Sequence, residues 1–280
     1  KPFMEVKQNA GTGGSATLGQ GASVVDNLIS FDSSSSGGVI HITSSNSSLT
    51  LSAGSSIANN EVKGGASDST IATVCNEGGT INLTGGTAEV PGASIQNNSV
   101  SSLNEGANSG GAIYSTDTGT INISGSPTVL NNTNPDGNAD NIHLKSIKGN
   151  SNEDYVMQVT GALTGTTGSI GVYSTDRHGN LDTFAQVANG VSNVGTQNAF
   201  INDQVIPPLE EGLYSSRREG TNDMIWGYES TDYVCQILNK DTGEYVKYTN
   251  LRLALNSIQT SDHTTVEMLV KDHTMSYSAS

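Results

Sequence analysis

The segment Asn134-Pro135-Asp136-Gly137-Asn138-Ala139-Asp140-Asn141 sets oxygen donors at alternate positions around a glycine turn, a pattern that suits calcium. Aligned as a helix–loop–helix calcium loop it fails, because the sixth position is Ala139 and the twelfth is Lys145. An Asx-rich turn accounts for the same residues, since Asn and Asp side chains bond their own backbone two residues on. Glycoside hydrolysis needs two carboxyl groups about 5–10 Å apart. Glu77, Glu105, Asp117, Asp136 and Asp140 are available but recur in no cluster. Elimination of a uronate needs a cation to neutralise its carboxylate and a strong base, usually Arg or Lys. The first arginine is Arg177, so residues 1–176 offer none. The histidines His41, His143, His178, His263 and His273 show no H-x-x-x-H spacing, which leaves zinc unsupported. Cys75 and Cys235 lack the basic neighbours of a nucleophilic thiol, and whether they pair stays open, because sequence spacing fixes no distance. The chain has no Gly-x-Ser-x-Gly elbow and no phosphate loop. The expectation is therefore no enzyme, no catalytic residue, no metal and no cofactor, with the binding residues unassigned.

Composition points the same way. The 280 residues include 37 Ser, 29 Thr, 28 Asn and 33 Gly, with 34% hydrophobic, 5% aromatic and 14% charged residues. An ordinary domain carries about half apolar and a quarter charged residues, so a compact enzyme is a poor match. The formal charge of −15 repels a phosphate backbone and an anionic lipid surface alike, which excludes nucleic acid and disfavours membranes. No run approaches the ~18 consecutive apolar residues of a membrane helix. Neither end carries a recognisable targeting segment, so the chain reads as a fragment of a longer protein. Two cysteines are too few for a disulfide scaffold.

The elements that would position any site come from a repeat. Leu18, Leu51, Leu83 and Ile123 are 33, 32 and 40 residues apart, and Val24, Ile57, Ile95 and Val129 are 33, 38 and 34 apart. Within each unit the runs are short and alternating. In Thr80-Ile81-Asn82-Leu83 the two apolar residues share one strand face. One unit cannot bury that face alone, so units must stack. Three short strands per unit, separated by Gly- and Asn-rich corners, describe an all-β, right-handed parallel β-helix of the pectin-lyase-like kind. Asn27, Asn60, Asn98 and Asn132 recur at one corner, where they can form a side-chain ladder and tolerate a left-handed backbone. The Gly pairs suit corners of positive φ.

The period fades after about residue 145, where less regular rungs and a cap are expected, with Trp226 making a capping contact near the end. The β-helix domain is assigned to residues 1–227. Residues 228–280 read as a small ββαβ module or the lead-in of another. Strands 232–238 and 244–248 flank the turn Lys240-Asp241-Thr242-Gly243. Leu251, Ala254, Leu255 and Ile258 then fall at helical spacing, and Val266-Glu267-Met268-Leu269-Val270 closes the unit.

Gly110-Gly111-Ala112-Ile113 and the [Val/Ile]-x-x-Asn motif at 24–27, 57–60, 95–98 and 129–132 resemble the GGAI and FxxN repeats of chlamydial polymorphic membrane proteins, with Val or Ile for Phe. A closer likeness is to large repetitive adhesin-type surface proteins of Gram-positive gut bacteria. Their repeats close with segments like Asp140-Asn141-Ile142-His143-Leu144, Gly161-Ala162-Leu163-Thr164-Gly165, Gly168-Ser169-Ile170-Gly171-Val172 and Ile225-Trp226-Gly227. The resemblance covers about residues 10–227. It implies an extracellular, secreted protein displayed on the bacterial cell surface. Its partner would be a host glycoprotein, mucin glycan, matrix protein or immunoglobulin, bound by a monomer without membrane insertion. The contact elements would be the loops at 97–109 and 131–140, which can vary without disturbing a stacked core. A passive stalk and a carbohydrate-active enzyme are the alternatives. The fold reading predicts a far-ultraviolet circular dichroism spectrum dominated by strand; a helix-rich spectrum refutes it.

Overall fold

The computed structural model describes residues 2–7, 12–31, 36–65, 70–86, 89–102, 108–148, 155–166, 168–175, 182–191, 199–204, 215–217, 221–226, 235–238, 245–248 and 266–268. They fall into two compact units, Lys1–Tyr228 and Glu229–Ser280. The first is a parallel β-helix. One sheet stacks β2 (Ser15–Leu18), β7 (Ser48–Leu51), β11 (Thr80–Leu83), β15 (Thr120–Gly125) and β18 (Met157–Leu163) in order. A second stacks β3 (Ser23–Val25), β8 (Ser56–Ala58), β12 (Ser94–Gln96), β16 (Thr128–Leu130) and β19 (Ile170–Ser174). A third, short sheet joins β4 (Leu28–Ser30), β9 (Glu61–Gly64) and β13 (Ser99–Ser102).

Parallel pairing in strict register turns the sequence repeat into columns of like side chains. Leu18 lies beside Leu51, Leu51 beside Leu83, Leu83 beside Ile123 and Ile123 beside Val159. Val24, Ile57, Ile95, Val129, Ile170 and Phe200 form a second column on another wall. Nearly all of these side chains are fully buried. Each contributes about 1.5–3 kcal/mol relative to exposure, which is how short strands of Ser, Thr and Asn acquire a core.

The corner asparagines form the ladder that their spacing predicts. Nδ2 of Asn27 donates to Oδ1 of Asn60, Asn60 to Asn98, and Asn98 to Asn132, each at 2.8 Å. The backbone N–H of each also donates to the same oxygen one rung on, at 3.0–3.1 Å. The left-handed backbone sits one residue earlier than the sequence suggested, at Asp26, Asn59, Asn97 and Asn131, with φ of 55–60°. That residue makes the turn, and the asparagine after it is freed to reach along the stack. The ladder also runs further than the repeat foretold. Asn132 donates to Asn141 at 2.8 Å, and Asn141 ends the chain on the carboxylate of Asp203 through its backbone N–H at 2.7 Å and its Nδ2 at 3.0 Å. Gly171 lies across this junction, where a Cβ would strike both the Asn141 amide and the Asp203 carboxylate.

The cap near the end of the regular rungs is an aromatic plug. β20 (Thr183–Val187) joins the parallel stack but then pairs antiparallel with β23 (Asp223–Trp226), which pairs antiparallel with β22 (Ser215–Arg217). Trp226 stacks on Phe184 at 3.9 Å between ring centroids, and Phe184 meets Phe200 edge-on at 5.3 Å. The second unit contributes β24 (Cys235–Leu238), β25 (Tyr245–Tyr248) and β26 (Val266–Met268) in an antiparallel sheet with β24 central. The helix expected over 251–258 lies outside the described residues.

Two predictions follow from the ladder. Asn98 accepts two bonds at Oδ1, and the two hydrogens of its Nδ2 are shared among three oxygens, while the residue is 1% exposed. Asn98→Ala should cost about 2–4 kcal/mol in urea unfolding, because each stranded buried group costs about 1–3 kcal/mol. Asn27→Ala, at the more open end, should cost less than about 1 kcal/mol. Burial and the neighbouring charge of Asp140 push the Asp203 carboxyl up to about 6, against the bonds from Asn141. The folded state therefore binds this proton more tightly than the unfolded state, so its contribution to stability falls as pH rises from about 4 to 6 and is flat above. Asp203→Asn, whose amide oxygen can accept the same bonds, should abolish that slope and raise stability near pH 7 by about 1–3 kcal/mol.

Candidate functional site

The same register that buries Val and Ile builds a row of reactive and aromatic side chains on the opposite strand face. β1 (Met4–Val6), β6 (Ile40–Ile42), β10 (Thr70–Asn76), β14 (Asn108–Ser115), β17 (Ile142–Leu144) and β19 lie side by side. Ile40, Val74, Ile113, Ile142 and Val172 are register neighbours and point into the tube. The next residue on each strand points the other way. Those positions are Glu5, His41, Cys75, Tyr114, His143 and Tyr173, again register neighbours from strand to strand.

This outer row is not open to water along its length. His41 is 8% exposed, Cys75 0%, Tyr114 1% and His143 9%. Beside the row, the register of β10 against β14 shifts between Ala72 and Val74. The part of β10 before the shift pairs with β5 (Ser36–Gly37) through Thr70 and Ile71. Ala72, Cys75 and Tyr114 then form a small apolar cluster of their own, separate from the tube core. Thr73 at the shift donates its hydroxyl to the Gly111 carbonyl at 2.7 Å. The Gly pairs serve close approach here. A Cβ on Gly38 would strike the Ala72 carbonyl, and one on Gly111 would lie 2.5 Å from the Asp140 carbonyl.

At one end of the row, His41 Nε2 lies 2.9 Å from Oε2 of Glu77. Glu77 follows Cys75 by two residues, so it shares the same side of the chain. The imidazole, thiol and carboxylate donor atoms all lie within 4.8 Å of one another. The bond from His41, joined by one from Ser36, holds the Glu77 carboxyl below its usual range despite partial burial. Burial pushes the Cys75 thiol well above its usual range, and the negative charge of Glu77 adds to this, while a bond from the Gly37 backbone opposes it. Near neutral pH the site therefore holds a carboxylate beside a protonated thiol.

At the other end the row is aromatic. The ring of His143 is 5.1 Å from Tyr114 and 4.6 Å from Tyr173, nearly parallel to the latter at 29°. His143 Nδ1 is 3.0 Å from Oδ2 of Asp140. Asp140 is 1% exposed, and its other oxygen has no hydrogen-bond partner. Burial raises the Asp140 carboxyl, partly offset by His143. Tyr173 is only half-buried, so the stack has a wetter end.

The 134–141 segment does not gather its oxygens. Asn134 Oδ1 accepts from the backbone N–H groups of Asp136 and Asn138, both at 3.0 Å, which is the Asx turn. Asp136 is exposed, whereas Asp140 turns inward to His143 and Asn141 joins the ladder. Asp117 is half-buried and stands apart from this cluster, while Glu105, His178, His263 and His273 lie outside the described residues, as does much of the 97–109 loop. Cys75 and Cys235 are both free thiols, each buried within its own unit. Spacing rules written for helices had separated His41 from Cys75, yet they are one rung apart, and the interval of 34 residues was the available signal.

Among the described residues no helix is long and apolar enough to cross a membrane. No family model, curated protein or solved structure matches the chain.

A covered, protonated thiol is a poor nucleophile. In a Cys235→Ser background, native Cys75 should react with iodoacetamide at least about a hundredfold more slowly than after unfolding in urea. Equal rates would show that Cys75 is not covered in the folded chain.

Proposed function

We propose that the chain is a non-enzymatic binding module of a secreted bacterial cell-surface protein, an adhesin whose β-helix presents a contact face to a host or matrix ligand. The observation that carries this reading is the Tyr114–His143–Tyr173 stack, which ends in a half-exposed ring. A stalk needs only Asn, Ser and Thr on its outer faces. Tyr173, held against the buried His143 ring, supplies a rigid aromatic contact at low entropic cost, of the kind enriched at interface centres. Asp140 fixes the His143 ring by its hydrogen bond, so the row is held in place before any ligand arrives.

The loop at 131–140 is the second contact element. It is anchored at both ends, by Asn132 in the ladder and by Asp140 on His143, and between them residues 135–139 are exposed. A host glycoprotein, mucin glycan, matrix protein or immunoglobulin presents the mixed polar and apolar groups such a face accommodates. A net charge of −15 favours a neutral or basic partner.

The test is an immobilised panel of mucin, matrix proteins, immunoglobulin and arrayed glycans, probed with the purified chain. Binding to at least one member is expected, weakened about tenfold in Tyr173→Ala, since one aromatic contact is worth about 0.5–1.5 kcal/mol beyond its buried area. Shortening 134–138 should weaken the same interaction. Binding to none would favour the stalk, and release of reducing ends from any glycan would favour an enzyme.

A further inference from the structure

The donor cluster at the far end of the row has a chemistry of its own, independent of whatever binds the aromatic end. We propose that His41, Cys75 and Glu77 bind one borderline-soft divalent transition-metal cation, with zinc as the representative, and leave a fourth position to water. The three groups are a thiol sulfur, an imidazole nitrogen and a carboxylate oxygen within 4.8 Å of one another. Sulfur and nitrogen donors select against calcium and magnesium, which take oxygen, and in favour of zinc and its neighbours.

The backbone, more than any flexible loop, sets the arrangement. His41 and Cys75 are register neighbours on adjacent parallel strands, while Cys75 and Glu77 are alternate residues of one chain. A tetrahedral zinc with bonds of about 2.0–2.3 Å holds its donors about 3.4 Å apart. His41 Nε2 and Glu77 Oε2 are 2.9 Å apart and no donor pair exceeds 4.8 Å, so binding would spread the first pair slightly and draw the farthest pair in by about 1.4 Å. The Glu77 side chain, 29% exposed, supplies the movement and the route from solvent, whereas the His41 side chain is 11% exposed.

The surroundings fit an ion as well. Ser36 holds the Glu77 carboxylate and the Gly37 N–H bonds the Cys75 sulfur, which are the outer-shell bonds that orient a carboxylate and stabilise a thiolate. Residues 1–176 contain no arginine, and Lys7 and Lys63 pair with Glu5 and Glu61. A divalent cation supplies the positive charge that would let the thiol ionise. Binding thus proceeds with loss of one proton from Cys75 to solvent, the sulfur lone pair forming the metal bond.

The experiment uses the full 280-residue chain with cobalt(II) alone as a spectroscopic probe and zinc(II) as competitor. One cobalt per chain is expected, with a sulfur-to-metal charge-transfer band in the near ultraviolet and intense tetrahedral visible bands, all displaced by zinc. Cys75→Ser should lose the charge-transfer band, and Cys235→Ser should keep it. His41→Gln and Glu77→Gln, which leave the buried sulfur and its cluster in place, should each weaken zinc at least about a hundredfold, beyond the roughly 10- to 100-fold typical of losing an outer-shell partner. Zinc should also raise the thermal midpoint of the wild-type chain, reversibly on chelation, and not that of Glu77→Gln. Absence of the charge-transfer band, its survival in Cys75→Ser, or unchanged zinc affinity in both His41→Gln and Glu77→Gln would overturn the proposal.

Discussion

Parallel pairing between rungs, held in register, is the constraint on which everything else in this molecule rests. It places each residue beside its counterpart one rung away, whatever lies between them in sequence. Inside the tube, that rule demands like beside like, because a Leu facing a polar residue would leave a hole or a stranded group. At the corner it lets Asn27, Asn60, Asn98 and Asn132 bond each other without help from water. On the outer face the same rule makes neighbours of His41, Cys75, Tyr114, His143 and Tyr173. One backbone device thus produces a core, a polar spine and a row of chemically distinct side chains.

The inner columns and the ladder were legible in sequence because both are selected at every rung. Leu18, Leu51 and Leu83 must be apolar, and the asparagines must be asparagines, so the period survives variable inserts. The outer row was not legible, because each of its positions needs only to be compatible with its neighbours. His41, Cys75, Tyr114, His143 and Tyr173 follow one another at 34, 39, 29 and 30 residues, intervals stretched and shortened by the loops between. The left-handed residues were misplaced by one position because Asn suits both a turn and a ladder, and only geometry separates the two roles. Asn141 and Asp203 were missed because they reach the corner from outside the repeat, nine and 62 residues along the bond path.

The outward face is dry where the register of β10 against β14 shifts and Ala72 joins Cys75 and Tyr114. A flat parallel sheet would leave His41 and Cys75 in solvent, where a thiol and an imidazole need no partner. Here Ala72 packs with Cys75 and Tyr114, and the rungs approach closely at Gly38 and Gly111. The row is driest at Cys75 and Tyr114 and opens partly at Glu77 on one side and at Tyr173 on the other. Two chemically different neighbourhoods thereby share one backbone register.

The ladder has a direction. Each ladder amide sends one N–H to the next rung and accepts at its oxygen from the rung before, so these bonds align along the stack as peptide dipoles do along an α-helix, while Nδ2 of Asn60, Asn98 and Asn132 also reaches back to a carbonyl of the preceding rung. The positive end of that macrodipole falls at Asn141, and the group waiting there is the carboxylate of Asp203. The bonds from Asn141 offset only part of the cost of burying this acid, whose carboxyl stays raised, so the charge sits at the end of the dipole at a net cost in stability. The spine is therefore a polarised wire with one charged terminus. Whole rungs inserted in its middle would lengthen it without altering either end, which gives such a protein a way to grow.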